Sequence, residues 1–202
     1  MDARAERDLT TRARIRQAAF RLISEKGFEA LTIRETGRRA GVSASVVIHH
    51  YGSRQGLIDA ISDWVLNTLR NRVCEGPSVP KSDDTRVRLA RFETLMSGSP
   101  LLVGYMRELL MNGGVEAKNW FAQSIRRSAE DLDSRAGTGE ARNSKDVVAE
   151  AAMLQILAFA PVVFSEILEA TLECTSEELH ARWARTTIEL LSSPLYPQDQ
   201  AS

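Results

Sequence analysis

The sequence predicts an all-α protein of about nine helices: a three-helix N-terminal domain, then a larger helical one. Three observations predict it. Apolar residues recur at three- and four-residue spacing along most of the chain. Thr32 with Glu35, and Thr175 with Glu178, have the spacing of capping boxes that start helices. Sustained alternation of apolar and polar residues between turn dipeptides, the mark of strands, is absent.

Each element follows from the same rules. In RARIRQAAFRLISEKG, Ile15, Ala18, Ala19, Leu22 and Ile23 form one apolar stripe, and Gly27 is a natural stop. Thr32 starts a short second helix that ends before Gly41. Ser43 caps a third helix through Tyr51. Ser53 caps a fourth, whose Leu57, Ile58, Ile61, Val65 and Leu69 keep helical spacing to about Cys74. GPSVPKSDD, from Gly76 to Asp84, reads as a loop. Helices are expected at about 85–97, 100–112 and 116–136, punctuated by Ser99-Pro100 and Gly113-Gly114. GTGEARNS (Gly137 to Ser144) is a second loop, with no strand before it to make a phosphate loop. Two long helices follow at about 146–173 and 176–193, the first kinked at Pro161. The tail after Pro194 has little to anchor it.

Composition narrows the class. A chain of 202 residues with 43% hydrophobic and 26% charged content suits one or two soluble globular domains. The longest apolar run, Ile156 to Phe164, falls far short of the roughly 20 residues a membrane span needs. The charged N-terminus lacks the apolar region of a signal peptide. Cys74 and Cys174 stand apart, outside any CxxC motif, which suits a reducing, cytoplasmic setting. No GxSxG elbow, HExxH, P-loop or catalytic carboxylate pair with a histidine is present, so an enzyme is not expected, nor a cofactor.

Charge is uneven. Residues 1–58 carry 11 Lys+Arg against 6 Asp+Glu, while the remainder carries 15 against 21. A basic head on an acidic body points to nucleic acid at one end, although a solvated, uneven surface would look the same. The turn Ala40-Gly41-Val42-Ser43 supplies a bend, an apolar plug and a cap, as a helix-turn-helix requires. On a helical wheel, Ala44, Val47 and Tyr51 face the first helix. Ser45, Val46, Ile48 and His49 fall on the open side, with His50 at the margin. Exposed branched side chains at Val46 and Ile48 can pack on thymine methyl groups, and Ser45 and His49 can bond base edges or phosphates. Arg34, Arg38, Arg39 and Arg54 are placed to clamp phosphates. The paired histidines do not make a metal site, because neighbouring residues diverge by about 100° and no carboxylate or thiol follows at i+4. A purely structural three-helix cap has the same pattern.

The stretches IRQAAFRLISEKGFEALTI, AGVS and HHYGSRQGLIDAI, spanning about Thr11 to Ile61, resemble the DNA-binding domain of the tetracycline-repressor (TetR) family of bacterial regulators. The resemblance implies an all-helical homodimer with a DNA-binding domain at 1–58 and a ligand-binding and dimerisation domain at 59–202. It implies a palindromic double-stranded operator and release by a small-molecule inducer. It places Arg34, Ser45, Val46, Ile48, His49 and His50 at DNA-contacting positions, and Arg54 where relatives hold a phosphate with a lysine. Two residues depart from the family pattern: Ile48 stands where a tyrosine is usual, and Gly37 where alanine is usual. A helical ligand- or protein-binding module with weakened DNA binding is the alternative these departures leave open.

Beyond residue 58 the resemblance is architectural. Met153, Ile156, Leu157, Ala160, Val163, Phe164 and Ile167, with Leu179, Trp183, Thr187 and Leu190/Leu191, give the last two helices apolar surfaces for the homodimer the family builds there. Tyr105, Met106, Leu109, Trp120, Phe121 and Phe159 are candidates for a pocket wall around a hydrophobic or amphipathic ligand. Arg107, Arg126 and Arg127 could meet an anionic one, though each of these residues also suits an ordinary core or surface.

Overall fold

The computed structural model describes residues 3–73, 85–137 and 144–192. The expected loop at 76–84, Cys74, most of GTGEARNS and the tail after Pro194 lie outside them, as does the Leu191 side chain. Ten α-helices and one 3-10 turn make up the described chain: α1 (Ala3–Lys26), the turn (Phe28–Ala30), α2 (Ile33–Ala40), α3 (Ala44–Tyr51), α4 (Arg54–Val73), α5 (Thr85–Ser97), α6 (Pro100–Asn112), α7 (Gly114–Gly137), α8 (Val147–Val163), α9 (Ser165–Leu172) and α10 (Ser176–Ser192). No strand occurs among the described residues. The caps follow the sequence. Thr32 and Ser43 accept the amides of Glu35 and Val46 at 3.1 and 3.4 Å. Gly41, at φ 66°, closes α2 in the left-handed region that glycine adopts without strain. Thr175 and Glu178 complete a reciprocal capping box at α10.

Contacts divide the chain into two units. One comprises Met1–Thr68 and Pro100–Phe121, the other Leu69–Ser99 and Ala122–Ser202. In the first, the predicted stripe of α1 (Ile15, Ala19, Leu22, Ile23) is fully buried, with Val47 of α3 and Leu57, Ile61 and Val65 of α4. α6 lies along α1, with Tyr105, Met106 and Leu109 fully buried. At Gly104 the helices touch backbone to backbone, for a Cβ there would stand 2.6 Å from the Ser24 carbonyl oxygen. Tyr105 packs on Phe20 and Phe28, its hydroxyl 3.1 Å from that of Ser62. Burial pushes that phenol up to about 12.

The second unit is organised by α5 against α10. Phe92 meets Phe159 edge to face, with ring centroids 5.0 Å apart. Beside them the buried carboxylate of Glu93 lies 2.7 Å from Nδ1 of buried His180. Desolvation raises the Glu93 carboxyl above its ordinary range, opposed by the bond to His180. Ala129 and Leu132 of α7 pack on Ala151 of α8, and Arg88 holds Asp131 in an ion pair.

The single kinked helix expected at 146–173 is two helices, which is why ten are observed and not nine. α8 stops at Phe164 (φ −105°, ψ 20°), and α9 leaves at 75° to it. The physical reason is Pro161. It cannot donate to the carbonyl four residues back, Leu157, and its ring crowds that carbonyl. The freed oxygen accepts instead from the indole Nε1–H of Trp183, at 2.8 Å. The proline thus turns the chain, and a tryptophan from α10 satisfies the group that the turn exposes.

Trp183→Phe removes that donor while keeping an aromatic ring. It should destabilise the fold by about 1–2 kcal/mol, read as a lower urea midpoint. In a Pro161→Ala background, the amide of residue 161 can take the carbonyl, and the same change should cost less.

Candidate nucleic-acid interface

The open face of α3 is set by its buried one. Val47 and Tyr51 are buried, and the Tyr51 hydroxyl donates to the Arg12 carbonyl at 2.7 Å while the Arg12 guanidinium lies over the ring. With those two fixed inward, Ser45, Ile48 and His49 are exposed, and Val46 and His50 half-buried, as the wheel requires. Ala44 is a correction. It was expected against the first helix but is exposed. It is the first residue of α3, and its Cβ points back past the helix end, beyond the packed layer. Ala44, Ser45, Ile48 and His49 therefore form one continuous outer face. Ser45 shares a hydrogen bond with Ser43 (2.8 Å), and the His49 and His50 rings meet edge to face at 5.4 Å. Among the described residues, no cluster of three or more His, Cys, Asp or Glu could hold a metal.

Gly37 also takes on a different meaning. It is buried under the turn, and a Cβ there would come within 2.8 Å of the Val42 carbonyl oxygen. Its own carbonyl accepts the Val42 amide at 2.9 Å. The glycine costs α2 up to about 1 kcal/mol of propensity and lets the helix-turn-helix close tightly.

The arginines are less free than their spacing suggests. Arg38 binds Glu35 through two nitrogens, at 2.8 and 2.6 Å. Arg39 reaches Glu25 at 2.8 Å and Glu35 at 3.2 Å. The Arg38 bond chiefly, with Arg39, pulls the Glu35 carboxyl down to about 2. Arg54 is turned to its own fold. Its Nε donates to the Leu31 carbonyl at 2.7 Å and its Nη2 to the Phe28 carbonyl at 2.6 Å. The other end of that turn is held by α6, where Glu108 accepts the Phe28 amide at 3.0 Å beside Gly27 (φ 82°). Arg34 is exposed and makes no hydrogen bond or ion pair to another described residue. No spacing rule announces the partners of Arg54 or Glu108, since the chain separations are 23, 26 and 80 residues.

The candidate pocket residues divide. Tyr105, Met106, Leu109, Trp120 and Phe121 belong to the first unit, and Phe159 to the second. All but the half-buried Phe121 are buried. Two surface concavities lie elsewhere, one lined by Arg14, Gln17, Arg21, Glu25 and Arg39, the other by Glu173, Cys174, Glu178, Arg182 and Arg185.

Residues 15–61 match the family model described as bacterial regulatory proteins, tetR family. Over 149 residues the chain is 36% identical to the HTH-type transcriptional regulatory protein RaaS of Mycobacterium tuberculosis, covering 74% of this chain and 68% of that protein. The chain belongs to the TetR family. Its fold agrees: a Rhodococcus sp. structure assigned as a TetR-family transcriptional regulator superposes with a TM-score of 0.70 at 20% identity, over 91% of this chain and 98% of that one. The transcriptional regulator FadR of Bacillus subtilis, solved with stearoyl-CoA, gives 0.68 at 14% identity, over 89% and 97%. This TetR-family chain is a DNA-binding transcriptional regulator of the helix-turn-helix type, and α2, the turn and α3 are that motif.

Two variants separate structural from DNA-facing charge. Arg54→Ala should lower the melting temperature of the free protein, a loss of about 1–2 kcal/mol from two carbonyls left unbonded, measured by calorimetry without DNA. Glu35→Gln frees Arg38 and Arg39, and should steepen the dependence of log K for duplex DNA on log salt by about 1 per arginine that finds a phosphate, measured by fluorescence anisotropy.

Proposed function

We propose that this regulator binds a palindromic operator as a homodimer, represses from it, and leaves it when a small molecule binds. One observation carries the reading: α3, locked by Val47 and Tyr51, presents Ser45, Ile48 and His49 to solvent on a helix-turn-helix of the matching family. Arg34 and the margin residue His50 would lie near phosphates, and Arg54 would reach one only with donors left over from its two carbonyls. A lone motif makes few contacts, and two-fold pairing sets recognition helices about 34–36 Å apart in successive major grooves. We assign residues 1–58 to DNA and 59–202 to ligand and dimerisation, in the cytoplasm.

The dimer surface we assign to the last helices. Met153, Ile156, Phe164, Ile167 and Leu190 are each more than half exposed. They supply an apolar surface of the kind that subunit interfaces bury. No single helix among the described residues is long and apolar enough to cross a membrane. For the effector, the pairing of Phe92 and Phe159 with the buried polar groups of Glu93 and His180 has the make-up of a small-molecule site: aromatic walls and few polar groups. The FadR structure holds stearoyl-CoA, which favours a hydrophobic or amphipathic molecule here. The effector would act through unequal affinity for two conformations.

A salt-titrated gel shift and footprint on DNA upstream of the gene test the reading. A protected, two-fold symmetric site is expected, and its absence with and without cell extract would sink it. Ile156→Glu should convert the dimer to monomer in sedimentation velocity and weaken operator binding at least about tenfold.

A further inference from the structure

We propose that the base-discriminating contact of this protein is apolar: Ile48, flanked by Val46, reads the 5-methyl groups of thymines in each operator half-site. The inference rests on the operator reading above and adds what the operator must contain. It starts from what the outer face of α3 lacks. Ala44, Ser45, Ile48 and His49 compose that face, with Val46 and His50 at its edges. None is Arg, Lys, Asn or Gln, the side chains that grip guanine or adenine edges with two parallel hydrogen bonds. The Ser45 hydroxyl is already bonded to that of Ser43, and the His49 ring is packed against His50. What projects is Ile48, 44% exposed although branched and apolar. A scattered exposed isoleucine is ordinary on a surface. This one stands in the middle of the eight-residue helix that a helix-turn-helix lays in the major groove, one turn from a helix start made narrow by alanine and serine. The chemical feature the major groove offers such a side chain is the thymine methyl.

The charges around α3 lead the same way. Arg38 and Arg39 are paired with Glu35 and Glu25, and Arg54 with two carbonyls. The sequence-independent phosphate attraction is correspondingly thin, so selectivity must come from the groove.

Thymine and deoxyuridine differ by that methyl group alone. The test selects a preferred duplex from a random pool with the full-length protein, then replaces each thymine of a half-site by deoxyuridine. One or two positions per half-site should lose on the order of fivefold to tenfold in affinity, and the other thymines nothing. Ile48→Ala should bind the unmodified duplex more weakly and become indifferent to the substitution at those positions, while Ile48→Val keeps part of the sensitivity. As Ile48 is part-exposed, the melting temperatures of both variants should match the parent. Tolerance of deoxyuridine at every position, or a sensitivity that Ile48→Ala leaves intact, overturns the proposal while leaving operator binding standing. Selection of no preferred sequence overturns the operator reading, and this inference with it.

Discussion

The DNA-binding unit depends on how one three-residue turn is held. Phe28–Ala30 follows α1 after a glycine at φ 82°, and its backbone groups would otherwise go unpaired at a helix end. Glu108 accepts the leading amide, and Arg54 donates to the carbonyls of Phe28 and Leu31. An anion at the N–H end and a cation at the C=O end complement the partial charges of the turn. Those two side chains come from α6 and α4, so the turn ties three helices together. The entry to α2, and through it the placement of α3, follows from that tie.

Around this frame, the protein keeps its cations occupied. Arg12 and Arg16 lie over the rings of Tyr51 and Trp64, Arg14 bonds the last carbonyl of α2, and Arg38 and Arg39 share Glu35. The charge excess of the first 58 residues is therefore spent largely on internal packing and helix ends, not displayed as an open basic face. Surface pairs of this kind are weakly held in water, so a phosphate of suitable geometry can still compete for Arg38. The resting state nonetheless gives the groove-facing residues of α3 a larger share in recognition than net charge alone would suggest.

Much of this was legible in the sequence, and the limits have physical causes. The helices at 85–97, 100–112 and 176–193 fell within a residue of α5, α6 and α10, because prolines, glycines and capping boxes are local signals. Val47 and Tyr51 were readable as buried because four residues is close to a helical turn. Ala44 was not, because a wheel treats every position alike and ignores that a first residue has no packed layer beside it. Pro161 announced a disturbance, but the size of the bend depended on Trp183, a residue of α10 that takes over the Leu157 carbonyl. Arg54 was readable as a cation near the DNA side, yet its carbonyl partners are fixed by the tertiary fold. Gly37 read as a weakness of α2 because propensity is a property of one helix, whereas the space it provides belongs to the turn above it.

Gly104 sets the mechanics of the first unit. A single added carbon there would overlap the Ser24 carbonyl, so α6 and α1 are in register at backbone contact, without a layer of side chains to lubricate them. Sliding one along the other would drive the neighbouring side chains Val103 and Tyr105 into that carbonyl row. Two rods that cannot shear move as a lever. Whatever displaces α6 swings α1 and the reading head it carries, and small displacements at one end arrive as angles at the other.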